Sequence, residues 1–175
     1  MDRVSYYKSV MGEQVEDVTP IAGEVSIQVL AFNTEGLGVP CTMVTSGMSD
    51  RAMSIPAGSS ASPRAELIWY TRASSRDYAV MLAWLAEYPF IDGTWLGHGH
   101  TVRWYKPLFE GSELHHYWLI PPLVTQHRKM PERVRVKGNP VHLWWVVPIT
   151  IAELELRVRE GTDALLDVFD RHDHP

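Results

Sequence analysis

The segment Thr94-Trp95-Leu96-Gly97-His98-Gly99-His100-Thr101 sets two histidines among glycines. A neutral imidazole donates through one ring nitrogen, accepts through the other, and is the commonest metal ligand. Along a strand, residues i and i+2 share a face, so His98 and His100 could hold one ion between them. His115 and His116 could add ligands from the next strand. Zinc takes about four ligands, at least three of them from protein. Acid/base catalysis is a second use of the pair. A third use is architectural: Gly93, Gly97 and Gly99 permit positive φ or close backbone approach, and the histidines bond the corner in place or line a groove. No cysteine pair, no His-Glu-x-x-His helix and no carboxylate except Asp92 lies nearby, so the spacing matches no strong metal signature. The residues favour a structural or partner-contacting loop with no metal or other cofactor. A zinc hydrolase is the alternative.

Other candidate groups are weaker. Ser46-Gly47-Met48-Ser49-Asp50 follows a strand but is not Gly-x-Ser-x-Gly, so it reads as a turn whose side chains satisfy local backbone. Glu66, near Arg64, reads as a paired structural carboxylate before a general base. Cys41 has no histidine or basic neighbour in sequence and reads as a buried, inert thiol. No glycine-rich phosphate loop is present. The seven tryptophans are spread over every element and mostly fill the core. Trp104-Tyr105 falls on a loop, where exposure would mark a partner surface.

These residues need a scaffold. Ser5 to Val18 is read as a short helix closed by Pro20. Val25, Ile27, Val29 and Ala31 alternate as a strand. Gly36 and Gly38 turn the chain into a partner strand over Val39 to Thr45. Met53 to Pro63 is a loop, and Glu66 to Arg72 a largely buried strand. Ser74 caps a helix whose stripe is Tyr78, Met81, Leu82 and Leu85, widened by Val80, Trp84 and Tyr88, and which Pro89 ends. His116 to Ile120 and Val141 to Val147 are strands, the second stopped by Pro148. Thr150 and Glu153 form a capping box for a helix with a buried Ile151, Leu154 and Val158 stripe. Gly161 breaks it, and Thr162 caps a last helix with Leu165, Leu166 and Phe169 inward. The order predicts an α+β fold: a mixed, mostly antiparallel sheet with flanking helices.

Composition bounds the classes. At 175 residues and 45% hydrophobic, the chain is expected to form one domain spanning 1–175. A chain of this length buries roughly 70% of its unfolded surface and needs no disulfide or metal to fold. One cysteine suits a reducing cytoplasm. A net charge of -5 and a pI near 5.9 argue against nucleic acid as partner. The basic run from Arg128 and Lys129 through Arg133 and Arg135 to Lys137 reads as a solvated loop or edge strand. No apolar run opens the chain, and none reaches the ~18 residues that span a bilayer, so no membrane partner is expected. A small-molecule substrate is not expected either.

Several segments together resemble the suppressor-of-fused domain family. They are Thr45-Ser46-Gly47-Met48-Ser49-Asp50, Arg64-Ala65-Glu66-Leu67, Trp84-Leu85 through Tyr88-Pro89, the Thr94–Thr101 segment, Leu119-Ile120-Pro121-Pro122, and Val147-Pro148-Ile149-Thr150 leading into Glu153-Leu154-Glu155-Leu156. Their order and spacing fit from about residue 25 to the end. The resemblance implies an α+β module that binds protein and has no known catalysis. Larger animal relatives hold Gli-type transcription factors inactive. This chain has the size of the domain alone, which is similar to the bacterial members, many of them immunity proteins that neutralise a cognate toxin. That is the leading expectation, with a transcription-factor-binding regulator as a further alternative. Trp95, His98, His100 and Trp104 are the residues placed at a functional or structural groove.

Overall fold

The computed structural model describes residues 1–18 and 27–171. Its main sheet has seven strands and is mostly antiparallel, with helices flanking it, as the segment order predicts. The strands are β1 (Gln14–Val18), β2 (Gln28–Asn33), β3 (Cys41–Ser46), β4 (Ala65–Thr71), β5 (Thr101–Arg103), β6 (Leu114–Ile120) and a long strand over His142–Thr150. A two-stranded ribbon of β7 (Arg135–Val136) and β8 (Asn139–Pro140) precedes that long strand, β9. The sheet order is β1-β2-β3-β4-β9-β6-β5. β1 with β2, β2 with β3, β3 with β4 and β5 with β6 pair antiparallel, whereas β4 and β9 run parallel with Ala65 opposite His142.

The chain divides into two compact units, Met1–His98 with Ile120–Trp145, and Gly99–Leu119 with Val146–Pro175. In the first, β3 is buried at all six positions, as a central strand covered on both faces must be. One cover is α1 (Arg3–Met11). Its Tyr6, Tyr7 and Met11 pack with Leu30, Phe32, Val44 and Ile68 from alternate strand positions. The other is α2 (Arg76–Ile91), whose Tyr78 ring meets Trp69, on the opposite parity of β4, at 5.3 Å. Met81, Leu82 and Leu85 are buried as the helical spacing requires, whereas Val80 is exposed. Two one-turn helices, α3 (Thr125–Arg128) and α4 (Met130–Arg133), complete this unit's elements.

In the second unit, β5 pairs with β6, and Trp118 of β6 is fully buried. Two helices, α5 (Ile151–Glu160) and α6 (Thr162–Arg171), pack on each other. Phe169 meets the Trp118 ring edge-on at 6.3 Å. The Thr150–Glu153 capping box forms in full, and Gly161 closes α5 at φ 97.

Five sequence expectations need correction. Ser5 to Val18 is not one helix: Gly12, at φ 87, ends α1 at Met11, and Gln14–Val18 pairs with β2 as an edge strand. The cap of α2 is Ser75 rather than Ser74. Pro89 lies inside α2, because it and Phe90 are buried and proline there forfeits only one late hydrogen bond. Pro148 lies inside β9; the register with β4 ends at Trp145, so no ladder on that side needs its N–H. On α5, Ile151 and Val158 are 50% and 74% exposed rather than buried. The inward position is taken by Arg157, whose guanidinium lies 5.8 Å over the Trp118 ring. Val25 and Ser26 lie outside the described residues.

Candidate functional site

The Gly-His-Gly-His corner is held by backbone. After α2, Gly93 adopts φ 62 and Thr94 donates its N–H to Pro89 O at 2.9 Å. Ser54 N donates to Thr94 O at 3.2 Å, tying the corner to the 53–63 loop. Leu96 is buried. Gly97 is required sterically: a Cβ there would stand 2.5 Å from the Trp95 ring. Gly99, at φ 81, donates to Leu119 O at 2.7 Å, and His100 O accepts from Leu119 N at 2.9 Å. The Arg157 guanidinium donates to Gly99 O. Residues 98–99 form a turn and β5 begins only at Thr101, so the strand geometry that would point both imidazoles one way is not adopted.

The sequence-selected side chains have separate surroundings. His98 is exposed, and its ring stacks on Trp144 at 6.1 Å and 17°. His142 stacks on Trp144 at 5.4 Å and 15°. The result is a histidine–tryptophan–histidine stack on the first unit, with His142 half-buried and its pKa lowered by burial. Trp95 is half-buried against Gly97. His100 belongs to the second unit. Trp104 follows β5 and is buried, with its ring 5.9 Å from Tyr117 and 4.9 Å from Tyr105. Tyr105 is the exposed member of that dipeptide, at 77%, with the Lys106 ammonium over its ring. His115 and His116 are adjacent on β6 and so point to opposite faces. His116 is buried, which lowers its pKa, and nearby Arg103 adds to that. Among the described residues, no three His, Cys, Asp or Glu side chains come together to hold a metal ion. The zinc alternative therefore lacks an assembled ligand set.

The densest polar constellation lies elsewhere. Glu66 is fully buried on β4 and accepts four hydrogen bonds. Thr45 Oγ1 donates at 2.7 Å, Gly47 N at 3.1 Å, Ser49 N at 3.0 Å and Ser49 Oγ at 2.6 Å. Its cation is Arg3, with Nε at 3.4 Å, not the neighbouring Arg64. Arg64 instead donates to Ser49 O at 2.6 Å. Arg3 also donates from Nη2 to Asp50 at 2.9 Å, which holds Asp50 below the usual carboxylate range. Burial raises the Glu66 carboxyl above the usual range, offset only in part by Arg3 and the bonds from Ser49 and Thr45. Ser49 is buried with its hydroxyl committed to Glu66, so it offers no nucleophile to a substrate. Sequence reasoning paired Glu66 with Arg64 and missed Arg3. The available signal was Thr45-Ser46-Gly47-Met48-Ser49: antiparallel pairing of β3 with β4 brings that strand end beside Glu66. Cys41 is buried, and burial raises its thiol pKa.

Chemically, these parts divide. The Glu66 node is a closed, satisfied network. The rings that reach solvent are His98, stacked on the half-buried Trp144, and Tyr105. Aromatic faces stack on planar groups or cations and bury large area at little entropic cost. No helix among the described residues is long and apolar enough to cross a membrane.

Residues 23–175 match the family model described as suppressor of fused protein (SUFU). Curated protein sequences give no match. Among solved structures, the chain is similar to a SUFU homologue from Neisseria gonorrhoeae FA 1090. The identity is 18% and the TM-score 0.72, over 97% of this chain and 87% of that one. It is also similar to a chain of a Sufu-Fu complex, at 17% identity and TM-score 0.64, over 93% of this chain and 78% of that one. Drosophila Suppressor of Fused gives 16% identity and TM-score 0.65, over 94% of this chain and 44% of that one. At these identities the structures establish the fold. The family model covers most of the sequence, and on that ground the chain belongs to the suppressor of fused protein family.

Proposed function

We propose that this chain is a non-enzymatic protein-binding module of the immunity type, which neutralises a cognate toxin by covering it. The observation that carries the reading is the family match over residues 23–175. One structural relative is a chain of a Sufu-Fu complex, and this chain takes the same mode of action, binding another protein. Its likeness spans most of the Neisseria homologue but less than half of the Drosophila protein. Partner contact is assigned to the exposed ring surfaces. In the first unit this is His98, stacked on the half-buried Trp144, together with the half-buried Trp95; in the second it is Tyr105, whose ring meets that of Trp104, together with the half-buried His100. An overall charge of -5 would speed encounter with a basic toxin.

The test is co-expression. Each protein encoded beside this chain is produced alone and together with it, and growth is followed. The reading expects one neighbour that arrests growth alone, is harmless with the chain, and co-purifies with it. Toxicity unrelieved by the chain for every neighbour would contradict the toxin assignment. Zinc-dependent turnover of a hydrolase substrate would contradict the non-enzymatic one.

A further inference from the structure

We propose that the basic excursion between α3 and β8, with the cleft beside it, is a docking surface for an acidic, extended segment of a protein partner. The proposal rests on the protein-binding reading but not on the partner being a toxin. The chain carries 16 basic residues against 21 acidic, yet Arg128, Lys129, Arg133, Arg135 and Lys137 crowd into ten positions with Glu132 as the one acid. All five are exposed. An ordinary solvated face mixes signs; here they are segregated. Arg128 is turned back onto Pro122 O at 2.6 Å and Arg135 onto Gly138 O at 3.1 Å, both still exposed, and Lys129, Arg133 and Lys137 add three further exposed cations.

Next to this ribbon is a cleft of about 300 Å³ in the same unit. Val4, Val134 and Val136 give it an apolar lining, and Arg135 stands at its rim. Arg3 and Asp50 also line it, but they neutralise each other across a 2.9 Å bond. Asp2 lines it too, with its carboxylate committed to the α1 cap by accepting from Ser5 N at 3.0 Å. The surface thus offers small apolar seats beside the exposed cations of the basic excursion. An extended peptide places alternate side chains on opposite sides, so one that alternates acidic and apolar residues satisfies both at once. A nucleic acid fits less well. The cleft lining has no aromatic side chain for a base.

The probe is a labelled peptide alternating glutamate and valine, titrated against the full chain by fluorescence anisotropy at low salt. Controls are a glutamate–serine peptide and oligothymidine of equal length. Saturable binding is expected, weakened at least about tenfold by Arg133→Glu/Arg135→Glu. It should be nearly unchanged by Arg72→Glu, which alters net charge at an exposed site elsewhere. The glutamate–serine peptide should bind more weakly. Absence of binding, equal binding of oligothymidine, or equal losses in both charge variants would overturn the proposal. So would a dimer that dissociates on the same reversals, which would assign the surface to a second copy. Undiminished capture of a verified partner by Arg133→Glu/Arg135→Glu would leave the protein-binding reading standing and remove this surface from it.

Discussion

The Glu66 node and the Gly-His-Gly-His corner hold similar numbers of polar groups and use them in opposite ways. At Glu66 the side chains do the bonding: a buried carboxylate collects Thr45, Gly47, Ser49 and Arg3. At the corner the backbone does it: Thr94, Gly99 and His100 are tied through N–H and C=O, while the His98 ring lies outside. The region that looks most chemical in sequence is tied down through its backbone N–H and C=O groups. The region that looks like an ordinary turn contains a charge that cannot be left unpaired. Residue type therefore indicates function only once it is known whether the side chain or the main chain makes the bonds.

The largest break in this contrast is Glu66→Ala. It strands four buried donors and takes from Arg3 one of its two carboxylate partners, and removal of one partner from a buried ion pair costs about 3–5 kcal/mol. Urea unfolding should show a loss of that size, with a smaller loss for Glu66→Gln, whose amide oxygen still accepts. A loss below about 1 kcal/mol would mean that the node is solvated.

His127 supplies the next effect. It is fully buried, its Nδ1 lies 2.9 Å from the Tyr70 hydroxyl, and burial lowers its pKa to about 4. The folded pKa is below the unfolded one, near 6.5, so between them the unfolded state binds more protons. Stability contributed by neutral His127 is complete above about pH 6.5 and declines as pH falls toward 4, by about 3 kcal/mol in all at 1.36 kcal/mol per unit. Unfolding free energies across that window should flatten in His127→Gln. A parallel pH dependence in the variant would assign the effect to other groups.

Gly97→Ala comes third. Its new methyl meets the Trp95 ring, and overpacking of this kind costs about 1–3 kcal/mol. The thermal midpoint should fall, and Trp95→Ala/Gly97→Ala should be less destabilised than the sum of the single changes.

The elements were legible where side-chain periodicity decides burial. β2, β3, β4, α2 and α6 follow from alternation or helical stripes, and the α5 cap follows from Thr150 and Glu153. Legibility failed where long-range partners decide. Pro89 and Pro148 look like stops, but one is packed inside α2 and the other sits beyond the β4 register. Val158 looks like core, but Arg157 takes the inward position through Trp118 and Gly99. The Arg3–Asp50 bond joins residues 47 apart, and no local pattern announces it. The aromatic stack was half legible: His98 was selected, while Trp144 and His142 read only as part of an apolar strand.

The smallest expected effect, His98→Ala/His100→Ala, carries the most weight. The central claim is that this corner is architecture and contact surface, not a metal centre. Elemental analysis of untagged protein, wild type and double variant, tests it together with the thermal midpoint of each. The account predicts substoichiometric zinc in both, with folding retained at a cost of about 1 kcal/mol or less. One zinc per chain in the wild type, lost in a double variant that still folds, would contradict it.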